Sequence, residues 1–154
     1  MIGGDRTRVR ILALDLGSKR IGMALSDELG ITAQGLETLH RTNERKDLAR
    51  LARLVEERDV RLVLVGNPLQ LGGQEGPRSE WARRFAEKLR ARAGCEVMLR
   101  DERLTTVEAK RALGETGPRR RRRDGDVDRM AAVLLLREYL ALLPAGDGVD
   151  DPRP

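Results

Sequence analysis

Acidic residues at three separate places in this chain are candidates for binding divalent metal ions. They are Asp15, the adjacent pair Asp101 and Glu102, and Asp128. Carboxylates that converge on one point hold hard, oxygen-preferring cations such as Mg²⁺ or Mn²⁺. Two such ions roughly 3.5–4 Å apart can activate a water molecule and stabilise the leaving oxygen of a phosphodiester. This chemistry needs no histidine as a general base, and we expect the one histidine, His40, to lie in a loop without a catalytic role.

The segment before Asp15 indicates how its carboxylate is placed. In the predicted strand 9–16, every residue before Asp15 is apolar except Arg10, at even and odd positions alike, a pattern typical of a central strand covered on both faces. A carboxylate at the rim of such a strand is unfavourable unless a cation or hydrogen-bond donors meet it. The residues leave two alternatives: a metal ion, or the N–H groups of the turn Gly17–Lys19 that follows.

The predicted topology brings the other acids to the same edge. Strands at 61–66 and 96–101 should lie parallel beside the strand at 9–16. Parallel strands end at one edge of a sheet, which is where α/β proteins bind ligands. A last helix is predicted over 126–143, in which Asp128 shares a face with apolar residues that should point inward, toward the strand ends. These apolar residues are Ala131, Ala132 and Leu135.

The remaining patterns complete an α/β fold. Strands at 20–26 and 31–39 should form an antiparallel meander with the first strand, helices are predicted over 43–57 and 77–94, and a short helix should begin at Thr105. The result is a mixed five-stranded sheet, an antiparallel meander plus parallel strands, with helices on both faces.

We expect a single folded domain with flexible ends. The flexible N-terminus should cover residues 1–8, the domain 9–143 and a disordered tail 144–154.

Composition restricts the partners and the compartment. The 154 residues include 30 Lys plus Arg against 25 Asp plus Glu, a net charge of +5 that favours polyanionic partners such as nucleic acid. The single cysteine, Cys95, excludes a disulfide framework and fits a reducing compartment. No stretch resembles a signal peptide, and the longest apolar run, Met130–Leu136, is too short to span a bilayer. We therefore expect a soluble, cytoplasmic protein with no membrane partner.

Two groups of basic residues are candidates for nucleic-acid binding. Lys19, Arg20 and Arg103 flank the acids and could contact the scissile strand, or could form surface ion pairs instead. A run of five arginines shortly before Asp128 could contact phosphates, or could be a solvated loop; only the first alternative predicts a strongly salt-dependent affinity. The run consists of Arg119, Arg120, Arg121, Arg122 and Arg123.

The aromatic residues argue against a stacking platform for bases. The chain has three, and Trp81 and Phe85 are spaced as neighbours on one helix face, which favours core packing. Contacts to the nucleic-acid backbone and 2′-hydroxyls should therefore dominate recognition.

Four segments, taken in order, resemble the signatures of the YqgF (RuvX-like) family. The first is DLGSKRIG at 15–22 with LGITA at 29–33 and Glu37-Thr38; the others are VGNPL at 65–69 with GGQEG at 72–76, DERLTTVEA at 101–109 and DRMAAVLLL at 128–136. The resemblance covers about residues 9–141, and four ordered motifs are a far more specific signal than any one of them.

The resemblance implies an RNase H-like fold and a divalent-metal nuclease, most simply with two ions. It implies maturation of the 5′ end of pre-16S rRNA, with ribosomal precursor particles as partners; resolution of four-way DNA is the alternative. By position, Asp15, Glu102 and Asp128 would be the catalytic and metal-binding acids.

One departure from related resolvases affects the second acid. Those enzymes carry an acid at the end of the strand after the first helix, where this chain has Gly66-Asn67-Pro68. The second acid must then come from the next strand, where Asp101 and Glu102 are both available. Strand alternation allows only one of them to face the metals, and we favour Glu102.

Other functional classes remain as alternatives. Actin-like and sugar-kinase-like ATPases share the Asp-x-Gly turn, but they need a second lobe that 154 residues do not supply. A nucleic-acid-binding factor without catalysis would gain nothing from clustered carboxylates beside phosphate. Structured RNA is the preferred substrate and branched DNA the second. A junction resolvase must act as a two-fold dimer, whereas we expect a monomer because no dimer interface is identifiable.

Overall fold

The computed structural model of the chain describes residues 9–67, 76–101 and 124–143, excepting the side chains of 124–126. The described elements follow one another as five strands and three helices. They are β1 (Arg10–Leu16), β2 (Arg20–Ser26), β3 (Ala33–His40), α1 (Glu44–Glu57), β4 (Val60–Asn67), α2 (Pro77–Ala93), β5 (Glu96–Asp101) and α3 (Asp124–Leu142).

The five strands form one mixed sheet in the order β3-β2-β1-β4-β5. β1 pairs antiparallel with β2, and β2 pairs antiparallel with β3, so the predicted meander is confirmed. β4 runs parallel to β1 on its other side, and β5 runs parallel to β4. The carboxyl ends of β1, β4 and β5 therefore meet at one edge, as the sequence predicted.

Two apolar clusters lie on opposite faces of the sheet. The larger packs α1 and α2 against one face, and its fully buried members include Leu12, Leu14, Leu51, Phe85 and Leu89. The smaller packs α3 against the other face through Ala132, Leu135 and Leu136, together with strand residues such as Ala13 and Leu64. The prediction that Ala131, Ala132 and Leu135 point inward is confirmed, since each is at most 1% exposed.

Helix α3 approaches the sheet unusually closely because glycines occupy the strand positions beneath it. A Cβ on Gly22 of β2 would overlap the backbone carbonyl group of Asp128. A Cβ on Gly35 of β3 would lie 2.7 Å from the side chain of Arg129. The backbone of α3 thus rests directly on β2, and no side chain larger than hydrogen fits between them.

Local signals set the helix ends. The side chain of Asn43 accepts a hydrogen bond from the Lys46 N–H and caps α1. Pro77 is the first residue of α2, and Gly94 ends that helix in the left-handed region at φ 74°.

Some boundaries differ from the predictions. β3 begins at Ala33 rather than at residue 31, because the Asp27 side chain accepts hydrogen bonds from the N–H groups of Ile31 and Thr32 at 2.7 and 3.1 Å. The prediction of a loop at His40 is wrong, since this residue ends β3 opposite Arg20. The short helix predicted from Thr105 and both predicted flexible ends lie outside the described residues.

In the described part of the chain, none of the helices is long and apolar enough to cross a membrane.

Gly22→Ala should weaken the docking of α3, because its methyl group would overlap the backbone of Asp128. We expect a loss of about 1–3 kcal/mol in the free energy of unfolding, measured by chemical denaturation. Amide hydrogen exchange in α3 should accelerate in parallel.

Gly94→Ala is the matched control. A Cβ there meets open space, so any cost comes from the φ of +74° and not from overlap with a neighbour. Left-handed strain should cost about 1–2 kcal/mol without faster exchange in α3. Equal exchange behaviour in the two variants would contradict the close-packing account.

Candidate active site

Asp15 lies near the end of β1 and is 7% exposed. Its neighbour on β2 is Gly22. Ile11 and Ala13, which share its parity, pack in the cluster beneath α3. Alternation along the strand therefore places Asp15 on the α3 face of the sheet.

Asp128 reaches the same region from α3. Its backbone covers Gly22, the residue paired with Asp15, so the two acids belong to adjacent positions on one face. These positions are 113 residues apart in the sequence. The sequence-based prediction that α3 carries Asp128 toward the end of β1 is confirmed by this placement.

Arg20 completes this group of charges. Its Nε lies 3.4 Å from Asp128 Oδ2, and the two side chains are 25% and 22% exposed. Of the two alternatives for Arg20, the structure shows the ion pair. Lys19, by contrast, is exposed in the turn between β1 and β2. Asp128 therefore has a cation beside it that β2 contributes.

A buried ion pair holds the turn that follows Asp15. Asp47 of α1 is completely buried, and its Oδ2 lies 3.3 Å from Arg41 Nε. Arg41 Nη1 in turn donates to the carbonyl oxygen of Gly17 at 3.0 Å, and the Arg41 N–H donates to Lys19 O at 2.9 Å. The guanidinium carbon also lies 4.7 Å from the centre of the Trp81 ring. Arg41 thus connects the turn to both helices of the opposite face.

A second arginine fixes the residue between Asp15 and that turn. Arg78, in the first turn of α2, donates from Nη2 to the carbonyl oxygen of Leu16 at 3.0 Å. Two successive carbonyl groups, those of Leu16 and Gly17, are therefore each bound by an arginine. The backbone on the carboxyl side of Asp15 is held at two consecutive points.

Arg41, Asp47 and Arg78 are not among the residues predicted from the sequence. Asp47 did offer a signal, because it precedes Leu51 by four residues and so belongs to the apolar face of α1. A carboxylate on an inward face requires a partner, and Arg41 supplies it. No comparable pattern distinguishes Arg78 from the exposed arginines of α2.

Asp101 lies at the end of β5, in register with Asn67 of β4. Because side chains alternate along β5, it lies on the same face as Val97 and Leu99, which pack on the side of α1 and α2. Asn67 faces that side as well, because its Oδ1 accepts a hydrogen bond from Ser79 of α2. Asp101 therefore occupies the face opposite to Asp15.

Several predicted site residues lie outside the described part of the chain. They are Glu102, Arg103 and the run Arg119–Arg123. Within residues 9–67, 76–101 and 124–143, no three acidic, histidine or cysteine side chains form a metal-holding group.

The predicted core role of the aromatic pair is confirmed for Phe85, which is completely buried. Cys95 lies apart from the acids at the start of β5. Partial burial raises the pKa of its thiol, so it stays protonated at neutral pH and is a poor nucleophile.

Comparison with known proteins assigns the chain to a family. A model of the RuvX family, described as Holliday junction resolvase, matches residues 9–142. The chain belongs to this family. The fold and the order of the motifs agree with that assignment, and the predicted resemblance is confirmed.

Curated relatives of this RuvX-family chain share nearly half of its residues. Proteins from Koribacter versatilis and Syntrophus aciditrophicus are each 49% identical, over 131 and 132 residues, and cover 85% and 86% of this chain. The matches cover 86% and 88% of those proteins. A protein from Myxococcus xanthus is 47% identical over 132 residues, 86% of this chain and 87% of its own. All three are named "Putative pre-16S rRNA nuclease".

Solved structures confirm the RNase H-like fold. Thermus thermophilus RuvC, in complex with a Holliday junction substrate, matches with a TM-score of 0.52 and 16% identity, over 86% of this chain and 94% of that one. The Fowlpox virus resolvase, in complex with Holliday junction DNA, matches with a TM-score of 0.51 and 15% identity, over 88% and 100%. The family assignment, together with this fold, identifies the chain as a nuclease that hydrolyses phosphodiester bonds.

Asp47→Ala should strongly destabilise the protein, because it leaves the Arg41 guanidinium without its buried partner. We expect a loss of about 3–5 kcal/mol in the free energy of unfolding, measured by denaturant titration. Glu44→Ala on the same helix is the control, since Glu44 pairs with Lys88 in a largely exposed position. Its cost should be about 1 kcal/mol or less. Similar costs for the two variants would show that Asp47 does not anchor the turn.

Proposed function

We propose that this chain is a divalent-metal-dependent nuclease that cleaves structured RNA in the maturation of the pre-16S rRNA 5′ end. The observation that carries the proposal is the placement of Asp15 and Asp128 on one face at the carboxyl edge of the parallel strands. The names of the curated relatives support the substrate. Processing of ribosomal precursors would place the activity in the cytoplasm.

The residues at this edge fit a divalent ion. Asp15 supplies a carboxylate from a residue that is 7% exposed at the end of β1. Asp128 supplies oxygens from the neighbouring position, and oxygen ligands are those that Mg²⁺ and Mn²⁺ prefer. We propose Asp15, Asp128 and Glu102 as the residues that hold two such ions. When bound, the ions activate the attacking water and stabilise the leaving oxygen of the phosphodiester.

Glu102 is favoured over Asp101 by strand alternation. Asp101 shares a face with Val97 and Leu99, on the side of α1 and α2. The next position in an extended chain points to the opposite face, which is that of Asp15. Strand alternation therefore supports Glu102 as the third acid.

The basic side chains around the acids hold them in position and take no part in proton transfer. Arg20 orients the Asp128 carboxylate through their ion pair. Arg41 and Arg78 hold the backbone after Asp15. Lys19 is exposed beside them, where its ammonium group can neutralise a phosphate of the bound strand.

Resolution of four-way DNA is the second candidate function. The description of the family model favours it, and two solved structures with the same fold hold Holliday junctions. A resolvase must place two active sites symmetrically about a junction, which requires a two-fold dimer. We propose a monomer, and gel filtration at micromolar concentration distinguishes the two.

Asp15→Asn and Asp128→Asn should abolish cleavage of labelled structured RNA in Mn²⁺ or Mg²⁺. Each amide removes a negatively charged oxygen ligand while preserving side-chain size. Glu80→Gln is the control, since it makes the same change in charge at an exposed position on α2 and should retain full activity. EDTA should stop the wild type.

The same assay with a DNA four-way junction separates the candidates. Faster cleavage of RNA supports rRNA processing, and faster, symmetric cleavage of the junction supports resolution. Binding without cleavage under every metal condition would replace the nuclease with a binding factor.

Replacing the run Arg119–Arg123 with glutamines should reduce the salt dependence of RNA binding. Each lost phosphate contact lowers the slope of log affinity against log salt by about 0.7–0.9, so we expect a decrease of about 2–4 in total. Fluorescence anisotropy of a labelled RNA measures it. A control variant replaces Arg53, Arg58, Arg61 and Arg92, which are exposed near the opposite edge. Equal changes per arginine replaced, five in the run and four in the control, would indicate a non-specific effect of net charge.

A further inference from the structure

Four residues lie level with one another across the sheet, on the face covered by α3. Asp15 pairs with Gly22 on one side. On the other side, Leu14 of β1 pairs with Val65 of β4, which pairs with Leu99 of β5. One residue further along each strand, Asp15, Gly66 and Arg100 are therefore level with one another. The pairing of Gly66 with Arg100 is itself observed. We call the residues Gly22, Asp15, Gly66 and Arg100 the acid row.

The face of the acid row follows from the row beneath it. Ala24, Ala13, Leu64 and Met98 occupy that lower row, and all four pack in the cluster beneath α3. Residues two positions further along each strand share their face. Asp15 and Arg100 therefore point to the same side of the sheet, about 10 Å apart across two strand spacings. Gly66 has no side chain to stand between them.

Helix α3 contacts this row at two places. Its Asp128 lies over Gly22 at one end, and its Tyr139 contacts Arg100 at the other. The two helix residues are 11 positions apart, about 16 Å along a helix axis, while the acid row spans about 14 Å. Helix α3 thus contacts both ends of the row, with acids at one end and a cation at the other.

The surroundings of Arg100 resemble those of an anion-binding arginine. Its guanidinium carbon lies 5.4 Å from the centre of the Tyr139 ring, which holds the planar group in place. Its Nε is buried, and no residue in the described ranges accepts a hydrogen bond from it. A buried donor without an acceptor is unfavourable, and a phosphate oxygen would satisfy it while also neutralising the charge.

We propose that Arg100 binds a phosphate of the nucleic-acid strand, next to the phosphate that reaction at Asp15 would cleave. The inference rests on the proposed function, because it assigns the direction of the substrate along the acid row. The nucleic-acid strand would extend from the acids toward β5. The Tyr139 ring would hold the Arg100 guanidinium in place.

The test measures binding of a fluorescein-labelled RNA stem-loop in EDTA, where cleavage cannot interfere, between 50 and 300 mM KCl. Arg100→Met keeps the length of the side chain but removes the charge. It should lower the slope of log affinity against log salt by about 0.7–0.9 and weaken binding roughly five- to tenfold at 100 mM salt. Arg100→Lys should retain the slope. Arg92→Met, at an exposed position near the opposite edge of the sheet, should behave as the wild type.

Thermal unfolding establishes that each variant is folded, and Arg100→Gln replaces the methionine variant if that one is not. A folded, uncharged variant with the wild-type slope would overturn the inference and leave Arg100 a packing residue. If the wild type cleaves RNA and the slope is unchanged, only this inference fails. If the wild type binds with the expected slope change but never cleaves, the nuclease proposal fails and the phosphate contact stands.

Discussion

The contact of α3 with the bare backbone of β2 is the constraint on which the candidate site depends. A glycine at position 22 allows the helix backbone to lie where a side chain would otherwise be, and this brings Asp128 to the level of Asp15. Any larger residue would push the helix outward by the thickness of a methyl group or more. The geometry of a metal site tolerates much less than that, because ligand distances are fixed to a few tenths of an ångström.

The two faces of the sheet have different tasks. On the side of α1 and α2, a buried ion pair and two arginines hold the turn after Asp15 through its carbonyl groups. On the side of α3 lie Asp15 and Asp128, with Arg20 paired to Asp128. The sheet therefore separates the Asp47–Arg41 pair that holds the turn from the charges of the candidate site.

Much of the fold was predictable because its signals are local. Apolar residues at both even and odd positions identify β1 as a central strand, and Pro77 and Gly94 mark the ends of α2. The start of β3 was not predictable from apolar pattern, because Ile31 looks like a strand residue but its N–H is bound by Asp27. The extension of β3 to His40 was not predictable from the sequence either, because its place in the strand is decided by pairing with Arg20 of β2.

The candidate site was predictable only in part, for a related reason. Asp15 and Asp128 each stand out against apolar neighbours, so the patterns around them revealed both. Arg41, Arg78 and Arg100 sit among many other arginines, and only the register and the folded contacts distinguish them. Among 30 basic residues, the sequence pattern does not distinguish the few that make specific contacts.

The distance between Asp15 and Asp128 along the chain also determines when the site can exist. A protein emerges from the ribosome with its N-terminus first, so the hairpin that carries Asp15 is available long before α3 has been made. Asp128 can join it only after nearly the whole chain has been synthesised and the helix has docked. A chain released before α3 is complete would therefore carry the hairpin with Asp15 but lack Asp128, and the group of charges at this edge of the sheet would not form.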